Sequence, residues 1–197
     1  MSVVGTQGYE NSVDSFASAS FNLKFDEINA DFLKFLPNSG RILDAGCGVG
    51  QNSAFFSKKG YEVVALEPLP EFLDLAKSKY SDLNITWLND SLPKLEEVDG
   101  LFDFILVDGV WHHLNFEERI IALERFADLL QAGGICAISL QNGPAGAGTH
   151  IFPTSIEEIE EKFEELGLEL VFKVTNQPSK MPNKEKVVWS RIALRKF

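Results

Sequence analysis

The sequence predicts an α/β domain of three layers, with helices on both faces of a mostly parallel, seven-stranded sheet. Three observations predict it. Strand-length apolar runs alternate with stretches of helical spacing from residue 41 to residue 167, the pattern of βαβ crossovers. A glycine-rich turn, Gly46 to Gly50, stands between the first strand and the helix after it. The last two strands have no helix between them, so they read as a hairpin that turns the final strand antiparallel to the rest.

Each element follows from local pattern. Phe21, Phe25, Ile28, Phe32, Phe35 and Leu36 fall on one face of a helix over 21–36, which Pro37-Asn38-Ser39-Gly40 stops. Arg41–Asp44 is a short strand running into the glycine turn, and Gln51–Lys59 a helix closed by Gly60. Tyr61–Leu66 is a second strand, Leu69–Tyr80 a helix, Asn84–Leu88 a third strand and Leu101–Val107 a fourth. Asn115 and Glu118 have the spacing of a capping box. They open a helix that carries Phe116, Ile120, Leu123, Ala127 and Leu130 inward and ends at Gly133-Gly134. The strand Ile135–Leu140 follows, then a polar, glycine-rich loop over 141–152. Thr154 or Ser155 is expected to cap a helix with Ile156, Ile159, Phe163 and Leu166 inward and the acids of 157–165 on a solvated face. Strands Leu168–Val174 and Lys186–Leu194 close the chain. No repeat or linker divides it, so a single domain is expected over 1–197. Its parts are an N-terminal lid and helix region (1–37), a binding core (41–140), and a loop with the C-terminal hairpin (141–197).

Composition narrows the function. Eighteen Lys+Arg against 29 Asp+Glu give a net charge of −11, which repels phosphate backbones, makes nucleic acid an unfavourable partner and favours a small or cationic ligand. The two cysteines, Cys47 and Cys136, sit in strand or glycine contexts without C-x-x-C or metal-ligand spacing, so reduced thiols and no metal site are expected. The first sixteen residues lack a basic and apolar leader, and no apolar run approaches the ~18 residues of a membrane span; a cytoplasmic location is expected.

The sharpest signal is Asp44-Ala45-Gly46-Cys47-Gly48-Val49-Gly50, followed at the end of the next strand by Glu67 and Pro68. Alternate glycines let a backbone turn with positive φ and approach a ligand without a Cβ in the way. An acid after the second strand can accept both hydrogen bonds of a ribose diol; the plainer alternative for Glu67 is a solvated turn residue. Nicotinamide-binding turns read G-x-G-x-x-G, so that a pyrophosphate rests on the helix N-terminus. Here the third glycine comes one residue early, and Gln51 stands where it would be. An acid at Asp44 would repel a pyrophosphate and attract the ammonium of a methionine moiety.

These residues resemble motif I and the following acid of class I (Rossmann-like) S-adenosylmethionine-dependent methyltransferases. Leu88-Asn89-Asp90-Ser91 is similar to the family's adenine-contacting segment. Phe102 to Asp108 with Val110-Trp111-His112-His113-Leu114 is similar to strand four and the turn of its type-11/type-12 branch. Leu129 to Gly134 resembles the turn before strand five, with Ala132 where proline is usual. The resemblance implies S-adenosyl-L-methionine as cofactor, with S-adenosyl-L-homocysteine as product. Asp44, Gly46, Cys47, Gly48 and Gly50 would lie around its methionine half, Glu67 and Pro68 at the ribose, and Asn89, Asp90 and Ser91 at the adenine. Asp108 and Gly109 would stand at the end of strand four, with His113 shaping the pocket and Tyr9 closing over the sulfonium from a flexible lid.

Trp111 and His112 are expected beside the acceptor, and His112, His113 or His150 as a general base if the acceptor is a hydroxyl or thiol. Asp103 reads as a strand-edge or turn-facing acid rather than a catalytic one. No tetrad of the Asn-Pro-Pro-Tyr type follows strand four, which argues against adenine or glutamine amide acceptors. A small-molecule methyltransferase is therefore expected. The alternatives are a non-catalytic cofactor-binding partner or regulatory protein, a protein or RNA methyltransferase, and a nicotinamide oxidoreductase, which the glycine spacing disfavours.

Overall fold

A computed structural model describes residues 3–181 and 184–197, and the side chain of Glu161 is left aside. Pro182 and Asn183, between the expected strands Leu168–Val174 and Lys186–Leu194, lie outside the described residues. Seven strands form one sheet: β1 (Arg41–Ala45), β2 (Glu62–Leu66), β3 (Ile85–Leu88), β4 (Phe102–Val107), β5 (Leu130–Asn142), β6 (Leu168–Pro178) and β7 (Val188–Lys196). Their order is β3-β2-β1-β4-β5-β7-β6. The first five pair in parallel, and β7 runs antiparallel to both β5 and β6, as a closing hairpin requires.

Strand alternation assigns the apolar side chains to two cores. Leu43, Val64, Ile105, Cys136 and Ile138 face one side, where α5 (Phe116–Leu129) and α6 (Glu157–Glu165) add Leu123, Phe126, Ile159 and Phe163. Ile42, Val63, Ala65, Phe104 and Leu106 face the other, under α3 (Gln51–Lys58) and the N-terminal segment, which supply Phe56, Phe25 and Phe32. A third cluster joins α1 (Val13–Ser20) to α4 (Pro70–Lys79) through Val49, Leu69 and Phe72. Among the described residues no helix is long and apolar enough to cross a membrane.

The helix expected over 21–36 is broken. It divides into α2 (Phe25–Ile28) and a 3-10 segment (Ala30–Phe35), with Asn29 between them at φ −111° and ψ 30°. Leaving the helix lets the Asn29 amide donate to Asp108 Oδ2 at 2.7 Å, a tertiary contact that overrides the helical periodicity. The polar segment before it is ordered into two 3-10 turns and α1, elements its composition does not announce.

Neither Thr154 nor Ser155 caps α6. Its N-cap is Ile156, while Thr154 exchanges hydrogen bonds with Asn142 and Ser155 donates to Glu157. The acids of α6 are also not all solvated: Glu158 pairs at 2.6 Å with Arg119, a fully buried guanidinium. Helix α5 ends at Leu129, before Gly133-Gly134, and that pair lies within β5.

The capping box forms as expected. Glu118 N donates to Asn115 Oδ1 at 3.0 Å, and Asn115 N donates to Glu118 Oε2 at 2.8 Å. Asn115→Ala removes one half of it and is expected to cost about 1 kcal/mol in urea denaturation, with the denaturant slope unchanged.

Candidate functional site

The carboxyl ends of β1, β2 and β4 open onto a cavity of about 650 Å³, a volume suited to a drug-sized ligand. Its floor is the turn after β1. Gly46 N and Cys47 N both donate to Leu66 O, at 3.0 and 2.8 Å, which ties the turn to the last residue of β2. Gly46, Gly48 and Gly50 have φ of 80°, 56° and 81°. A Cβ on Gly46 would stand 2.4 Å from Val110 and one on Gly50 2.6 Å from Trp87, so backbone is all that fits at either position.

Glu67 leaves β2 and turns back onto this floor. Its side chain is buried and lines the cavity, accepting from Gly48 N at 3.0 Å through Oε2 and from Leu69 N at 2.9 Å through Oε1. A carboxylate has about four acceptor sites, so these two donors leave capacity unused. Burial pushes Glu67 up to about 7 despite those bonds. Pro68, Leu69, Phe72, Ser91 and Leu92 continue the wall.

Asp108, at the end of β4, anchors the opposite side. Ser139 Oγ donates to Oδ1 at 2.6 Å; Asn29 and Asn52 amides donate to Oδ2 at 2.7 and 3.3 Å; and Gly109 N donates to Ser139 Oγ at 2.9 Å. Four separate parts of the chain thus meet at one carboxylate.

Several expected residues stand back from the wall. Asp44 shares the sheet face of Ile42, and its fully buried carboxylate accepts from Ser53 Oγ of α3 at 2.5 Å. Burial, with the Asp108 charge adding to it, pushes Asp44 up to about 7. Gly50 packs on Trp87. Asn89 donates to the carbonyls of Glu67 and Pro68, and Asp90 accepts from Ser91 N and Glu97 N; neither lines the cavity. Cys47 is on the wall, with its thiol raised by burial. Trp111, expected beside the acceptor, is fully buried in the α5-side core; the indole on the wall is Trp189, from β7.

The histidines separate. His113 Nδ1 lies 2.8 Å from His150 O, and because a carbonyl only accepts, Nδ1 carries the proton. Nε2 then accepts from Tyr9 Oη at 3.0 Å. Burial lowers His113 and raises Tyr9 to about 12, the latter helped by the Glu67 charge, so the pair is neutral. His150 offers this network its backbone, while its ring packs on Phe152 away from the cavity. His112 is buried on the wall, and Nδ1 has no hydrogen-bond partner among the described residues. Desolvation, then the charges of His113, Arg119 and Lys184, lower it to about 3.

The roof is the N-terminal segment. Thr149 N donates to Gln7 O at 2.9 Å, and a Cβ on Gly148 would lie 2.4 Å from the Tyr9 ring, so the 141–152 loop and the segment around Tyr9 close on each other. Tyr9, Phe16 and Phe72 form an aromatic cluster beneath. This covering segment is the part of the site that composition hid. Tyr9 was legible there only through resemblance.

Comparison with known proteins agrees with this fold. A family model described as a methyltransferase domain matches residues 42–134. The Bacillus subtilis protein YqeM, named as a methyltransferase, is 30% identical over 102 residues, covering 51% of this chain and 40% of that protein. The ubiquinone biosynthesis O-methyltransferase of Rickettsia typhi is 30% identical over 105 residues, covering 52% of this chain and 41% of that protein. The chain thus spans less than half the length of these curated relatives. Among solved structures, a TehB-like SAM-dependent methyltransferase of Corynebacterium glutamicum superposes with TM-score 0.68 at 24% identity, covering 98% of both chains. The Burkholderia thailandensis 1,6-didemethyltoxoflavin-N1-methyltransferase, solved with its substrate and S-adenosylhomocysteine, gives 0.71 at 21% identity, covering 97% of this chain and 84% of that one. The shared fold is that of these enzymes.

The buried Asp44 makes stability depend on pH. Its folded value is raised above the ordinary carboxylate value, so its contribution is fully present in acid and lost as pH rises through about 7. Between pH 5 and 8 the wild type is expected to lose on the order of 2 kcal/mol relative to Asp44→Asn. Urea denaturation of both proteins at the two pH values measures this.

Proposed function

We propose that the chain, which carries a methyltransferase-domain match over residues 42–134 and shares the fold of S-adenosylmethionine-dependent methyltransferases, transfers a methyl group from S-adenosylmethionine to a small-molecule acceptor. The observation that carries the reading is Glu67, a buried carboxylate on the cavity wall with two acceptor sites unused. A vicinal diol supplies two O–H donors and fits that vacancy in the hydrogen-bond count. Leu69, Phe72 and Leu92 offer an apolar slot for a purine, with Ser91 as its polar contact. Gly46, Cys47 and Gly48 would hold the methionine half through their backbone, with Asp108 as the anion nearest its ammonium. Asp44 and Asp90 are assigned positioning roles, the first through Ser53 beneath the turn and the second by folding the loop after Ser91.

The cofactor, when bound, supplies a methyl already activated on a sulfonium, so direct displacement needs alignment more than proton transfer. The chain's own residues supply that alignment. The roof of Val3–Thr6, Tyr9 and α1, latched through Tyr9–His113 and Gln7–Thr149, excludes water. His112, kept neutral by burial, stands on the wall with Nδ1 unpartnered among the described residues, where its ring would orient an acceptor O–H or N–H. Its weak basicity suits orienting that group rather than taking its proton outright.

Glu67→Gln removes the charge from two donated hydrogen bonds and is expected to weaken S-adenosylhomocysteine binding by roughly 100-fold in calorimetry. New donors also pull Glu67 down from about 7, so binding at pH 7 should release roughly half a proton, seen as a buffer-dependent enthalpy that Glu67→Gln lacks. Unchanged affinity in this variant overturns the ribose assignment.

A further inference from the structure

The chain is strongly acidic, with a net charge of −11, yet the end of the cavity beyond His112 is lined by Lys180, Lys184 and Arg191. Of the acids lining the cavity among the described residues, Glu67 is tied to the glycine turn, and Asp108, which lies across Ser139 from Arg191, already accepts from Ser139, Asn29 and Asn52. The whole-chain charge suggested a cationic ligand; the local charge points the other way.

The register of the closing hairpin produces this. On β7, Arg191 pairs with Ser139 and Trp189 with Gln141 of β5. Cross-strand partners share a face, so Arg191 stands on the side where Ser139 reaches Asp108, and Trp189, two residues earlier, stands beside it. Arg191 is 4% exposed. One amino group donates to Ile28 O at 3.1 Å, and Nε–H has no partner among the described residues. No carboxylate of the described residues forms an ion pair with it. A buried guanidinium in that state lacks the counter-charge that normally accompanies burial. Lys180 Nζ donates to Glu27 O at 2.8 Å, holding this edge of the hairpin against α2. Lys184 reaches over Gly146, where an added Cβ would lie 2.9 Å from Nζ, and its charge is felt at His112.

Resting on the methyl-transfer reading above, we propose that the acceptor is a small molecule bearing an anionic group, a carboxylate or phosphate. Arg191 receives that group with Lys184 and Lys180 beside it, and Trp189 and Met181 pack on its apolar body. The planar guanidinium fork matches either oxyanion, and the lysines add charge at the entrance. Seating the anion here leaves the rest of the acceptor next to His112 and facing the turn that would hold the cofactor.

The test uses the full chain saturated with S-adenosylhomocysteine and three probes: benzoate, phenyl phosphate and the neutral benzamide. Binding is followed by calorimetry and by Trp fluorescence. At least one anion is expected to bind about tenfold or more tightly than benzamide, and the stronger of the two tells carboxylate from phosphate. Its affinity should fall with added salt. It should also fall several-fold in Lys184→Met and tenfold or more in Arg191→Met, with S-adenosylhomocysteine affinity held within about twofold. Benzamide binding as well as the anions, or no anion binding, overturns the proposal; so does anion affinity indifferent to salt and to Lys184→Met, an arm that stands even if Arg191→Met does not fold. Failure of S-adenosylhomocysteine itself to bind overturns the cofactor reading instead, and the anion preference is then read on the free protein.

Discussion

The floor of the cavity depends on one junction, where the glycine turn after β1 is tied to the end of β2. Leu66 O accepts from both Gly46 and Cys47, and Glu67, the next residue, accepts from Gly48. Three successive N–H groups are thus spent on two successive residues of the neighbouring strand. The turn can lie that close only because Gly46 has no Cβ to meet Val110. The junction fixes the backbone that faces the ligand and the carboxylate that would grip its sugar, and it fixes them relative to each other. It also explains why the acid must be buried: a carboxylate that accepts from Gly48 N of the turn and from Leu69 N beside it cannot turn out to solvent without freeing both donors.

Asp108 plays the matching part on the other side. It draws an amide from the N-terminal segment, another from α3 and a hydroxyl from β5, so the N-terminal segment is anchored at Asn29 before it folds over the cavity. Covering segment, sheet and first crossover helix are therefore coupled through a single side chain. The break between α2 and the 3-10 segment follows from that coupling. The local cost of interrupting a helix at Asn29 is set against the charge-assisted hydrogen bond it gives Asp108, which also accepts from Ser139 and Asn52.

The seven strands along the chain, the mostly parallel sheet and the antiparallel last strand were legible in the sequence because strand alternation and glycine turns are local signals. Glu67 was legible for the same reason, as its place after β2 is set by the chain itself. What could not be read depends on long-range meetings. Trp111 and Trp189 look alike in sequence; only the β5–β7 register decides that Trp189 lines the cavity while Trp111 sinks into the core. Asp44 has the right spacing to line a ligand, but strand alternation places it on the α3 side, under Ser53. Arg119 is a mid-helix arginine by pattern and a buried ion-pair partner of Glu158 in fact. The polar N-terminus gave no periodic signal because its packing is against the cavity and the 141–152 loop rather than against the sheet.

The two halves of the cavity have different origins in the chain, and that division bears on how specificity arises. The end assigned to the cofactor is built from residues 46–109, a continuous βαβ run whose geometry is enforced by backbone hydrogen bonds. The far end is assembled from the N-terminal segment, the 141–148 loop and hairpin residues 179–181 and 184–191, which meet through side chains and a few loop contacts. Changes of charge or size there leave the glycine turn and Glu67 untouched. The histidine pair stands at the border. His113 is committed to the latch between Tyr9 and the 150 carbonyl, while His112 Nδ1 has no partner among the described residues and its ring feels the lysine charge from the far side. A site that holds its imidazoles neutral and gathers cations at the far end of the cavity is suited to holding a bound anion in place rather than to strong base catalysis.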